Sequence, residues 1–363
     1  MSGEHSKQGR NRLLSWLINL SGVLILGLIL YSGGIEAWQQ IVRGDWGYVL
    51  AALAVTLLWN MVAAYRWSLV TQQVAGEPAN FAYKYYFTYH MIGMVTGQVL
   101  PITIGMLGGR PAALSLSREV SIRRAALSVF LDKFFDLMLA LLLVGPVALY
   151  LIDWIDLPLA LGLMGGMVLF GAAVVGWKYE QLLRVVGRVA SHLVQPLARI
   201  PVIGRRLVRR LPQQLERLST ETFLSNRSAA RSFALTLVLY CLLSARLFFI
   251  AQALRLDIPW HLLAMGVCVT QLALIFSITP GSLGFLEGGW WAVLSLAGLT
   301  QEQYYYFIIG RRAYVLVFTV IGALLAFSWI RESPARLFRA VLTASRRPAQ
   351  RETQKGSPSS AVK

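Results

Sequence analysis

Seven ionisable side chains stand inside stretches that are otherwise apolar: Asp132, Lys133, Asp136, Arg246, Glu287, Arg311 and Arg312. An unpaired acid or arginine at the centre of a bilayer costs about 2.5–3.5 kcal/mol on insertion scales, so such residues must face protein or water. Asp132 and Asp136 are four apart and share one helix face. Two roles fit the set. The charges can form an ion-pair lock between parts of the molecule, or a polar site for a charged head group whose binding rearranges the pairs; one lock can do both. At 1.5 Å per residue, Asp132 is expected roughly 12 Å in from the cytoplasmic side and Arg311 roughly 12 Å in from the other side. Across a hydrocarbon core of about 30 Å, the two are then close enough in depth to meet. Arg66, close to a cytoplasmic helix end, reads as a side chain that snorkels to the interface and is left out of the site.

Other chemistries lack their residues. Gly281-Ser282-Leu283-Gly284 has the outline of a serine nucleophile turn, but hydrolysis would need a histidine at matching depth, and only His90 and His261 come into question. His261 follows Pro259-Trp260 at a helix start, an ordinary interfacial position. No His, Asp or Glu cluster has metal-ligand spacing, and no phosphate-loop or dinucleotide fingerprint occurs. Cys241 and Cys268 lie in apolar stretches and read as small core residues. No enzyme activity, cofactor or metal is expected.

The elements that must hold these charges come in two copies. Pro101-Ile-Thr-Ile-Gly-Met-Leu-Gly-Gly109 and Pro280-Gly-Ser-Leu-Gly-Phe-Leu-Glu-Gly288 each break an apolar stretch, and each leads to a related Leu-Ser-Leu run at 113–116 or 293–296. In the same register, Asp132-Lys133 falls where Arg311-Arg312 falls. Pro101, Gly105, Gly108, Gly109 and Arg110 mark the first turn, and Pro280, Gly281, Gly284 and Gly288 the second. The glycines permit tight turns and exposed backbone N–H groups that suit anions, or they serve only close helix packing. Glu287 stands where a half-helix begins, either as a charge held by the helix dipole or as a simple N-terminal cap.

Composition sets the frame. A chain that is 56% hydrophobic and 14% charged is a polytopic membrane protein of all-α class. The net charge of +17 does not point to nucleic acid, because the excess base lies between and after the apolar spans, where it marks the cytoplasmic side and attracts anionic lipid. The expected layout is a cytoplasmic N-terminus over 1–12 and a first membrane half over 13–177, which begins with an uncleaved helix at Leu13–Leu30. A basic amphipathic linker follows at 178–231, then a second half at 232–330 and a basic, partly disordered tail at 331–363. Placing base inside and acid outside makes 81–117 enter from and return to the cytoplasm, and 261–299 do the same from outside. The copies are then inverted, each a re-entrant hairpin followed by a full transmembrane helix, as in many secondary transporters.

These residues resemble a known family, the transmembrane region of lysylphosphatidylglycerol synthetases and its stand-alone, flippase-like relatives. The matching pieces are Leu100-Pro101 with Gly108-Gly109-Arg110, then Ala125-Ala126-Leu127-Ser128-Val129-Phe130-Leu131-Asp132-Lys133, and Pro280 to Glu287 with Arg311 or Arg312 downstream. The likeness covers most of 10–330. Arg110 stands where the family motif usually has an acid after its two glycines, and Asp132-Lys133 stands for the family's Asp-Arg. The resemblance implies lipid translocation and not lipid aminoacylation, since 363 residues hold no synthetase domain.

The expected function is translocation of a lipid or lipid-linked intermediate through a polar site between the two repeats, in a bacterial inner membrane with both termini cytoplasmic. The alternatives are a membrane scaffold for a lipid- or glycan-modifying enzyme, or a small-solute carrier. The expected partners are membrane lipids, with an anionic or lipid-linked substrate and a possible cytoplasmic enzyme.

Overall fold

A computed structural model describes residues 39, 41–76, 79–99, 108–115, 120–197, 224–275, 277, 279 and 281–329. The expected helix at Leu13–Leu30, the N-terminus and the tail from 331 lie outside these residues, as do Pro101, Gly105 and Pro280. The described chain is helical with no strand: α1 (Trp46–Ala75), α2 (Tyr83–Val99), α3 (108–115), α4 (Ile122–Leu151), α5 (Leu157–Leu197), α6 (Asn226–Ala253), α7 (Trp260–Ile275), α8 (Phe285–Leu296) and α9 (Gln301–Ser328). Five of them, α1, α4, α6, α9 and the Leu157–Leu182 part of α5, are long and apolar enough to cross a membrane. The 16 residues of α7 and 12 of α8 are each too short, since they reach roughly 24 and 18 Å against a core of about 30 Å. They pair instead into a helical hairpin.

Local sequence fixes where the long helices start. Asp45, Ser121, Ser225 and Thr300 cap α1, α4, α6 and α9 by accepting from the N–H of Gly47, Arg124, Ser228 and Gln303, each satisfying a donor that has no partner within the helix. Gln303 completes the Thr300 cap by accepting from the Thr300 N–H at 3.0 Å. In α5 the backbone breaks at Lys178 (φ −130°, ψ 33°) and then resumes as helix to Leu197. The remainder of the basic segment, 198–223, lies outside the described residues.

The helices repeat in order and in length. α1 matches α6, α2 matches α7, α3 matches α8 and α4 matches α9; the second member starts 177 to 180 residues after the first (46 and 226, 83 and 260, 122 and 301). The matching helices α1 and α6 run in opposite directions. The start of α1 meets the end of α6, where the Asp45 N–H donates to the Ala253 carbonyl, and the end of α1 meets the start of α6 through Gln73 and Ser228. α4 starts beside the end of α1, with Arg124 donating to the Ala75 carbonyl, and ends beside the start of α7 through Tyr150 and His261. α9 ends beside the start of α2, where Thr88 donates to the Ala326 carbonyl. Each hairpin thus lies against the long helix of the other half, α2 on α9 and α7 on α4.

α1 and α6 pack along one another at the centre, and the main core runs from Phe135 and Leu139 on α4 through Leu247 and Ile250 on α6 to Phe307 and Phe318 on α9. The second hairpin closes tightly because a Cβ at Gly266 would overlap the indole of Trp290. α5 sits outermost and leaves Leu159, Leu169 and Phe170 exposed, the surface expected of a helix facing lipid.

Candidate functional site

The buried charges divide into two clusters. In the first, Arg66 on α1 is the hub. Its Nε donates to Asp132 Oδ1 at 2.8 Å, and its Nη1 donates to Asp136 Oδ1 and to Thr236 Oγ1, both at 2.6 Å. Lys133 Nζ reaches the other Asp136 oxygen at 2.8 Å. Arg110, at the start of α3, approaches Asp132 Oδ2 at 3.3 Å and lies 5.4 Å from the centre of the Trp67 ring. It also donates to His90 Nδ1. The Asn60 amide nitrogen donates to the Thr56 carbonyl, so its oxygen accepts at 3.0 Å from His90 Nε2. His90 therefore carries its proton on Nε2 and offers Nδ1 to Arg110. The carboxylates of Asp132 and Asp136 are satisfied from several sides, as buried carboxylates must be.

The second cluster is built on the second hairpin and α9. Glu287 accepts from the Gly284 N–H at 2.8 Å, which caps α8, and from Arg312 Nη1 at 3.2 Å. Arg312 also donates to the Gly281 carbonyl at 2.8 Å. Gly281 holds a left-handed turn (φ +56°), and a Cβ there would crowd Arg312 and the Gln98 carbonyl, so the tip of this hairpin abuts the end of α2. Arg311 comes no nearer to Glu287 than 3.8 Å. Arg246 on α6 lies 5.7 Å from the centre of the Trp59 ring.

Between the clusters is a cavity of about 130 Å³, several times the room that one water needs. All four long helices outside α5, both hairpins and both clusters border it. Five cationic side chains line it, Arg66, Lys133, Arg246, Arg311 and Arg312, against one acid, Asp136. Trp59, Gln98, Tyr240 and Gln271 complete its polar and aromatic wall. Beside it, an apolar groove of about 400 Å³ runs between α2 and α9, lined by Val95, Val317, Val320 and Ile321. Gln98 and Leu316 border both spaces.

The sequence reading and this geometry differ in their pairings. Asp132 does not meet Arg311: its partners are Arg66 and Arg110, while Arg311 and Arg312 turn to Glu287. Arg66 does not snorkel. It sits on the face of α1 that packs on α4 and α6, where two aspartates replace the water it would otherwise seek. Arg66 and His90 are the residues the sequence reading missed. The signal for Arg66 was its register, because Arg66 and Arg246 each stand twenty residues past the start of matching helices, at Trp46 and Asn226. Of the turn residues, Gly109 packs on Thr96, Arg110 is buried in the first cluster, and Gly108 and Gly288 have open space.

Comparison with known proteins places this arrangement. A UPF0104 membrane protein of Methanothermobacter thermautotrophicus is 25% identical over 293 residues, 77% of this chain and 80% of the relative. No solved structure matches the chain. The family model for the lysylphosphatidylglycerol synthase transmembrane region matches residues 18–344. A chain that is helical over its described residues, with five helices among them able to span a membrane, and that this model matches over nearly its whole length, belongs to the lysylphosphatidylglycerol synthase transmembrane-region family and is an integral membrane protein.

Proposed function

We propose that the chain moves an amphipathic lipid, or a lipid-linked intermediate, across the membrane, its head group passing through the charged cavity while its tail stays in the groove between α2 and α9. The observation that carries this reading is the adjacency of the two spaces, one charged and bordered by both halves, the other apolar, with Gln98 and Leu316 lining both. A soluble solute has no use for an apolar groove opening beside its site. An acyl chain does, and Val317 and Val320 there are 53% and 57% exposed. The antiparallel run of matching helices supports an inverted repeat whose hairpins re-enter from opposite sides, the architecture of alternating access. The excess of base between and after the apolar spans supports cytoplasmic termini, and the reading places the chain in a bacterial inner membrane. Movement is passive or ion-coupled.

The test is reconstitution into vesicles containing fluorescent phosphatidylglycerol, with the inner-leaflet label made reachable to an external quencher only by translocation. Wild type should expose the label faster than protein-free vesicles. Val320→Trp, which fills the groove without touching a charge, should slow exposure at least tenfold. Equal rates in wild-type and protein-free vesicles would overturn the proposal for this class of lipid.

A further inference from the structure

We infer that the second half of the cavity is an anion clamp, in which a phosphate-type group of the cargo bridges Arg246 and Arg311. This inference rests on the translocation reading above and names the chemistry of its head group.

The argument comes from comparing the two halves at matching positions. Arg66 and Arg246 occupy the same register of matching helices, and so do Asp132 and Arg311, each ten residues past the helix starts at Ile122 and Gln301. In the first half the pair is Arg66 and Asp132, joined at 2.8 Å. In the second half the acid's place is taken by another arginine, so that Arg246 and Arg311 border the same cavity with like charge. Both are more than nine-tenths buried, at 8% and 4% exposed, and both line the cavity.

Neither finds enough acceptors. Nε of Arg246, and Nε and Nη2 of Arg311, have no hydrogen-bond partner among the described residues. Glu287 is already engaged by the Gly284 N–H and by Arg312 and stands 3.8 Å from Arg311, too far for a hydrogen bond. The Trp59 ring offers Arg246 only a π-face. Of these two buried guanidiniums with free donors only Arg311 has an acid nearby, at 3.8 Å and shared with Arg312, so a further anion would offset a costly excess of buried charge. A tetrahedral oxyanion accepts from two planar guanidinium forks at once, which is the geometry that phosphate offers and a single carboxylate does not. Counting both clusters, six cations (Arg66, Arg110, Lys133, Arg246, Arg311 and Arg312) face three acids (Asp132, Asp136 and Glu287), so an added anion reduces the imbalance.

The experiment measures binding of the purified full chain in detergent to phosphatidylglycerol, to a diacylglycerol of the same acyl chains that lacks the phosphate, and to inorganic phosphate, for wild type, Arg311→Gln and Arg246→Gln. Each substitution removes one arm of the clamp and leaves Glu287 paired with Arg312. The melting temperature should change little, so loss of binding is separable from loss of fold. Phosphatidylglycerol should bind wild type at least tenfold more tightly than diacylglycerol, and both substitutions should abolish that preference. If inorganic phosphate binds wild type as tightly as the lipid does, the clamp stands and the lipid reading falls. If phosphatidylglycerol and diacylglycerol bind equally, or the substitutions leave the preference intact, the clamp is overturned while lipid movement is still read by the Val320→Trp assay.

Discussion

Arg66 donates to Asp132, Asp136 and Thr236 at once, so its removal leaves two carboxylates of the interior facing only Arg110 and Lys133. Breaking a buried pair by deleting one partner costs about 3–5 kcal/mol. Arg66→Met should lose stability on that scale, read as a shift in the unfolding midpoint of the micelle-bound protein. An unchanged midpoint would mean that the first cluster does not hold α1, α4 and α6 together. Arg246→Gln should cost far less, because Nε of Arg246 has no hydrogen-bond partner among the described residues. Six of the seven charges singled out from the sequence line the cavity or pair at its edge, because charges interrupting an apolar span are conspicuous in any reading. The seventh, Asp132, stands behind the wall, held by Arg66 and Arg110. Which charge pairs with which was not legible. Depth counted along helices gives height in the membrane, but pairing depends on which face of each helix turns inward, and that is set by packing partners far away in the chain.

At the scale of elements, the close approach of α7 and α8 rests on the absence of a side chain at Gly266 beneath Trp290. Gly266→Ala overpacks this contact and should cost about 1–3 kcal/mol. Combining it with Trp290→Phe should recover part of the loss, since the smaller ring vacates the space; additive losses in the double variant would contradict the contact. The second Pro/Gly break falls between α7 and α8, while Pro101, Gly105 and Pro280 lie outside the described residues. The spacing of apolar residues after Lys178 reads as an amphipathic helix, but its joining to α5 was not legible, because basic residues there resemble a linker when read along the chain. The exchange by which each hairpin lies on the other half's long helix has no local signature. It depends on contacts between residues more than a hundred positions apart, such as Thr88 with Ala326 and Tyr150 with His261.

For the whole molecule, antiparallel matching helices make a claim that can be read in membranes. The start of α4 and the start of α9 should lie on opposite sides. With Cys241 and Cys268 replaced by alanine, Arg123→Cys should react with an impermeant maleimide only from the cytoplasmic face, and Glu302→Cys only from the outer face. Reaction from the same face would remove the inverted repeat. The central claim, that a lipid tail travels between α2 and α9 while its head crosses the charged cavity, is tested most directly by closing that groove reversibly. In the same cysteine-free background, Val95→Cys and Val320→Cys, joined by a short cleavable bifunctional reagent, should reduce translocation of fluorescent phosphatidylglycerol to the rate of protein-free vesicles. Cleaving the bridge should restore it. Unchanged translocation with the bridge in place would contradict the account.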